Sequence, residues 1–181
     1  MGEIDYRAEE PGDEADVHEV VRRAFSHHAG VDALVADLRA SDGWLGLSFV
    51  ATLDGAVVAH VAFTRSRLDA RAALVDVLVL SPLSVAPAHQ GRGIATALVR
   101  YALRRLQARP EPLVFLEGSP RYYARFGFAP AAPVGFRRPS LRIPEAAFQV
   151  LALPADDGSW SGTLVYHRAF WDHDAVGLRP G

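Results

Sequence analysis

A chain of 181 residues, half of them hydrophobic, is most simply read as one domain spanning residues 1–181 with room for a substantial core. Its 19 basic and 21 acidic side chains nearly cancel to −2 with a pI near 6.4, so it carries no electrostatic footprint for nucleic acid or an anionic membrane. The lack of cysteine removes disulfides, thiolate metal sites and thiol nucleophiles together. The start, Met1 to Glu14, is acidic and polar, and no apolar run reaches the ~20 residues of a membrane span. A soluble, cytoplasmic protein is expected.

Ile4 to Ala8 reads as a short first strand, followed by a turn at Glu10-Pro11-Gly12. Asp13 is placed to cap a helix that presents Val17, Val20, Val21, Ala24 and Phe25. A second helix spans Val31 to Arg39, with Leu34, Val35 and Leu38 inward, and Ser41-Asp42-Gly43 ends it. Phe49 to Leu53 and Val57 to Phe63, joined across Asp54-Gly55, form the clearest hairpin. The next run, Ala73 to Val85, is apolar on both faces and suits a central strand. Pro82 lies within it, and a proline there forces a bulge or a break, since it has no amide hydrogen.

The strand runs into a loop, Gln90-Gly91-Arg92-Gly93, and then into a helix whose Ile94, Leu98, Ala102 and Leu106 form one apolar stripe with Arg100, Arg104 and Arg105 off it. A fifth strand covers Leu113 to Leu116. Ser119-Pro120 then opens a short helix that sets Tyr122 and Phe126 on one face, turns Tyr123 about 100° away, and stops at Gly127. The Pro-rich Ala129 to Pro139 reads as a long loop. Strands at Phe148 to Leu153 and Thr163 to His167, separated by the turn-rich Ala155-Asp156-Asp157-Gly158, close the chain.

The loop before Ile94 carries the chemistry. Backbone N–H groups left unpaired at a helix start, added to the positive end of the helix dipole, make a phosphate or pyrophosphate site, and Gly91 and Gly93 allow close approach. No Lys-Ser or Lys-Thr follows, as a P-loop requires, and the third glycine of a dinucleotide fingerprint is absent. A nucleotide-triphosphate domain therefore lacks the residues it should have.

Gln90-Gly91-Arg92-Gly93-Ile94-Ala95, preceded by Leu83-Ser84-Val85-Ala86-Pro87, resembles the acyl-coenzyme A loop of the GNAT superfamily of N-acetyltransferases. Tyr122-Tyr123-Ala124-Arg125-Phe126-Gly127-Phe128 looks like the second signature of that superfamily, and Gly118-Ser119-Pro120-Arg121-Tyr122-Tyr123 is similar to a bacterial subgroup of predicted acetyltransferases. The resemblance implies an α/β (α+β) fold: a mixed, largely antiparallel sheet, helices on both faces, and fourth and fifth strands splayed to admit the pantetheine arm. It implies acetyl-CoA as co-substrate, without a metal. Leu83, Ser84 and Val85 would pair with the pantetheine amides and thioester carbonyl, while Gln90, Gly91, Arg92, Gly93, Ile94, Ala95 and Thr96 would surround the pyrophosphate.

The reaction so implied is direct transfer of acetyl to a primary amine on a small molecule or peptide, with no nucleic acid or membrane partner and with a homodimer left open. Tyr123 stands where the superfamily's tyrosine protonates the departing sulfur. Its bland role is core packing with a bonded hydroxyl. Glu117, at the carboxyl end of the fifth strand, is the candidate base, with helix N-terminal electrostatics or a water chain as alternatives. The superfamily often has an asparagine before the tyrosine helix; this chain has none, and Ser119 takes that place. A catalytically silent acyl-CoA sensor with the same fold is the rival reading. His89 is read as a solvent-facing loop histidine, and His27-His28 and Asp172-His173-Asp174 lack the spaced partners of a metal site.

Overall fold

The structure, a computed structural model, describes residues 2–27 and 30–177. In chain order the regular elements are β1 (Ile4–Ala8), α1 (Glu14–Ala24), α2 (Val31–Arg39), β2 (Trp44–Leu53), β3 (Ala56–Ala70), β4 (Leu74–Val85), α3 (Ile94–Arg105), β5 (Leu113–Glu117), α4 (Pro120–Tyr123), β6 (Ala129–Pro130), β7 (Phe136–Arg137), β8 (Phe148–Ala152), β9 (Gly162–Val165) and α5 (Arg168–Asp172). The strands form a mixed, largely antiparallel sheet in the order β1-β2-β3-β4-β5-β8-β6, with β9 also on β3 and β7 on β9. β4 pairs with β5 in parallel, as β7 does with β9. Among the described residues no helix is long and apolar enough to cross a membrane. The chain divides into two compact units, Met1–Phe63 with Ser81–Arg105 and Thr64–Leu80 with Leu106–Gly181.

In the first unit β1 lies antiparallel on β2, from Ile4 opposite Leu53 to Ala8 opposite Phe49. Asp54 and Gly55 between β2 and β3 have φ of +51° and +84°, the two left-handed residues that a tight hairpin with right-twisted strands requires. Val17, Val20 and Val21, one face of α1, are buried with Val35, Val50, Val57 and Ala86. Ile94, Leu98 and Ala102 of α3 are buried as the stripe predicts, Val99 is buried beside them, and the Tyr101 ring meets Phe49 edge-on at 6.0 Å.

Asp13 precedes α1 but does not cap it with its side chain. Its carboxylate instead accepts from the Glu10 N–H at 2.8 Å and from the Arg7 Nη2 at 3.0 Å. A guanidinium fork satisfies both carboxylate oxygens and outcompetes a helix amide for them.

In the second unit β3 continues past Phe63 to Ala70 and pairs antiparallel with β9, Arg67 opposite Val165 and Ala70 opposite Gly162. β5 pairs in parallel with β4 at Leu78–Val114 and Val79–Phe115, and antiparallel with β8 from Leu113–Ala152 to Glu117–Phe148. Phe115 stacks on Phe148 at 5.5 Å and receives the edge of Phe136 at 5.2 Å.

The stretch read as one long loop, Ala129 to Pro139, contains β6 and β7, each of two residues, which is too short to show a period in sequence. The last strand ends at Val165 and α5 follows. That helix is capped by His167, whose side chain accepts from the Ala169 N–H at 3.3 Å.

Candidate functional site

β4 runs through Pro82, which is buried, and through a cis Ser81–Pro82 peptide to Val85. The Ala86 N–H then donates to the Val58 carbonyl at 2.9 Å, and residues Pro87–His89 make a single turn of 3-10 helix. Gln90 folds back so that its Nε2 donates to the Val85 carbonyl at 3.1 Å, closing the loop on its own start. Gly91 and Gly93 sit at φ +73° and +79°, where a side chain is strained. A Cβ on either would meet no atom within 4 Å, so the face they present is open.

The first helical bond of α3 runs from the Ala97 N–H to the Gly93 carbonyl at 3.1 Å. The amides of Ile94, Ala95 and Thr96 consequently have no carbonyl behind them within the helix, and the helix dipole adds its positive end there. Leu83 and Val85 are half-buried, while Ser84 is 1% exposed and its hydroxyl has no partner among the described residues. A buried hydroxyl without a partner is suited to a polar ligand. His89 is not merely solvated: its Nδ1 lies 3.1 Å from the exposed Arg92 Nη1, which makes Nδ1 the acceptor.

In the second unit Glu117 ends β5. Its Oε1 accepts from the Tyr166 hydroxyl at 2.8 Å and its Oε2 from the Gly177 N–H at 3.1 Å. Burial raises its pKa above the ordinary glutamate value, and these two bonds and the Arg142 charge only partly offset that. A carboxyl so placed can exchange a proton nearer neutral pH than an exposed one.

Tyr123 is held edge-on by Tyr122 at 4.9 Å and by Phe128 at 5.8 Å. Burial, then the neighbouring Tyr122 phenol, pushes its hydroxyl above the ordinary phenol range, so it keeps its proton at neutral pH. The Tyr122 ring packs against Phe126 at 5.5 Å and under the Arg125 guanidinium at 4.7 Å. Ser119 occupies the cap position of α4 without a side-chain capping bond.

Four residues of this unit escaped the sequence reading. Tyr166 and Gly177 are 49 and 60 residues from the carboxylate they bond, and no local pattern signals that. Gly118 leaves room for Tyr123: a Cβ there would overlap the Tyr123 ring, lying 2.9 Å from Cδ2. Buried Gln149 donates its Nε2 to the Gly118 carbonyl at 2.9 Å. A glycine directly after a strand and before the tyrosine helix was the available signal for Gly118.

The carboxylates near the carboxyl end are occupied by arginines, Asp172 by Arg168 at 3.3 Å and Asp174 by Arg142 at 2.7 Å. His27 is exposed, and His28 lies outside the described residues.

The frame is that of the GNAT acetyltransferases, as comparison with known proteins shows. The GNAT family N-acetyltransferase YhbS from Escherichia coli, crystallised with CoA, superposes with a TM-score of 0.84 at 32% identity, over 94% of this chain and 93% of that one. A GNAT family acetyltransferase from Brucella melitensis in complex with acetyl-CoA gives 0.75 at 33% identity, over 94% and 99%. In sequence, the uncharacterized N-acetyltransferase YjhQ of Escherichia coli K12 is 32% identical over 120 residues, 66% of each chain. The acetyltransferase (GNAT) domain profile matches residues 5–131, and the chain belongs to that family.

Proposed function

We propose that the chain acts as a single N-acyltransferase domain that moves acetyl from acetyl-CoA directly to a primary amine. The observation that carries this reading is the start of α3, where glycines at positive φ open a cluster of amides without helical partners, a fit for pyrophosphate, while the Lys-Ser or Lys-Thr of a triphosphate-binding P-loop is missing. Acetyl-CoA supplies the activated thioester. Gly91 to Thr96 and Gln90 grip its pyrophosphate, with Arg92 beside them, and Leu83 to Val85 offer backbone groups and the Ser84 hydroxyl to the pantetheine arm. Glu117, directly or through water, takes the proton that the attacking amine loses. Tyr123 gives its proton to the departing thiolate. Holding donor and amine together supplies the rest of the rate.

Acetyl-CoA at a hundredfold excess over its dissociation constant is expected to stabilise the folded chain by about 2.7 kcal/mol, with no stabilisation by ATP. Thermal unfolding with each ligand measures this, and a shift with ATP alone would overturn the coenzyme reading. Release of free thiol from acetyl-CoA in the presence of an amine panel separates a transferase from a silent sensor.

Gly93→Val is expected to weaken coenzyme binding at least tenfold, about 1.4 kcal/mol. A β-branched residue resists φ near +79° and fills the space over the amides. Calorimetry on the folded variant decides, and unchanged affinity would put the pyrophosphate elsewhere.

A further inference from the structure

The second unit contains a cavity of about 450 Å³ whose lining includes Phe136, Phe148, Arg137, Arg138, Leu141 and Glu145. Its apolar floor is fixed by the core, since Phe136 and Phe148 are 6% and 1% exposed and both pack on Phe115. Leu141, 87% exposed, leaves apolar surface uncovered at the same place.

The cavity also shares a face with the candidate base. Glu117 is directly opposite Phe148 in the antiparallel β5–β8 ladder, and directly opposed side chains lie on one side of a sheet. Phe115, two residues before Glu117, is on that side too, as its stacking on Phe148 requires.

The charge in the lining is unbalanced, with two guanidinium groups against one carboxylate. Arg138 stands two residues beyond Phe136 in the chain, and its side chain is 24% exposed. Among the described residues its ion-pair partner is Glu145, 3.9 Å away on a side chain that is 70% exposed. That distance is too long for a hydrogen bond, so the Arg138 donors remain available to a better-placed anion.

We infer that this cavity binds the acidic, apolar end of the amine acceptor, so that the acceptor is a small amino acid or a comparable amine-bearing carboxylate. The inference rests on the acyltransferase reading for the word acceptor, though the cavity itself does not. A polyamine or aminoglycoside brings positive charge to two guanidinium groups and gains nothing from the phenylalanine floor. The volume is near the low end of small-molecule sites, on the order of 300–1,000 Å³, and suits a single amino acid or a dipeptide.

N-acetyl-leucine, which keeps the carboxylate and the apolar side chain but has no amine to react, is the direct probe. Calorimetric titration is expected to show binding that weakens at least tenfold in R138Q, recovers in part in R138K, and tightens in E145Q, where the competing carboxylate is gone. Spermidine is expected not to bind in the same titration. With acetyl-CoA present, leucine and phenylalanine are expected to release thiol with a KM that rises at least tenfold in R138Q.

Binding of N-acetyl-leucine that ignores both Arg138 and Glu145, or thiol release with spermidine in preference to leucine, would overturn the inference and leave the transferase reading intact. Arg138-dependent binding without thiol release from any amine would do the reverse, keeping the anion cavity and removing the transfer reaction.

Discussion

Tyr123→Phe is expected to lower kcat by about 100- to 10,000-fold, the usual worth of a positioned general acid, while acetyl-CoA affinity stays within a few-fold. The substitution keeps the ring that Tyr122 and Phe128 hold at 4.9 and 5.8 Å, so the packing survives and only the proton donor goes. The groups proposed to grip the coenzyme are untouched. Because burial keeps this phenol protonated, a full complement of donor is present at neutral pH, and its removal is not masked by prior ionisation. The loss should shrink for acyl donors whose thiol leaves more readily and needs less protonation.

Tyr122→Phe is the control. That hydroxyl is buried with no partner among the described residues, so deleting it should leave turnover within a few-fold and cost no stability. Once an acceptor is known, steady-state and single-turnover rates test the pair. A Tyr123→Phe protein with full single-turnover rate would pass the acid role to water or another group.

Acidification is expected to destabilise the first unit through His60. This residue is fully buried on β3, its Nε2 is 2.8 Å from the Ser48 Oγ, and its Nδ1 has no partner among the described residues. Ser48 gives its hydrogen to the Glu9 carboxylate, so it accepts from Nε2–H, and the bare Nδ1 is where a second proton would go. Arg39, whose Nη1 is 2.6 Å from Glu9, adds positive charge nearby. Burial first and Arg39 second hold the imidazole pKa down to about 3.

The unfolded chain, with an ordinary histidine near 6.5, binds the proton first, so stability is full above about pH 6.5 and falls as pH drops toward 3. The slope approaches about 1.4 kcal/mol per pH unit, or roughly 5 kcal/mol across the whole window. Urea unfolding at pH 7, 6, 5 and 4 measures it, with His60→Gln expected to flatten the slope. An equal slope in that variant would assign the acid sensitivity to other groups.

Elements whose residues talk to near neighbours were readable. β1 and α2 have the boundaries their patterns predict, and the Asp54-Gly55 turn has the two left-handed residues that its composition implies. The glycine-spaced loop and the stripe of α3 were equally plain, because a cap, a turn and a 3.6 period are all local.

What was not readable depends on distant partners. Arg7 diverts Asp13 from the helix it precedes, two-residue strands arise only because β8 and β9 are there to pair with them, and Glu117 meets Tyr166 only after the intervening chain folds. The Gly118 vacancy belongs to this second kind: the glycine is visible in sequence, but the ring that needs its space is not.

Glu117 draws one of its two donors from Gly177, so part of its proton affinity is set by backbone 60 residues downstream. Arg142 pins the same segment through Asp174, and a Cβ at Gly177 would press on the Arg142 backbone. The last described turn therefore works as a tuning peg for a carboxylate on a distant strand. Anything that unseats residues 174–177 strips a hydrogen-bond donor from Glu117 and alters the burial that raises its pKa, detuning acid–base behaviour with no substitution in β5 at all.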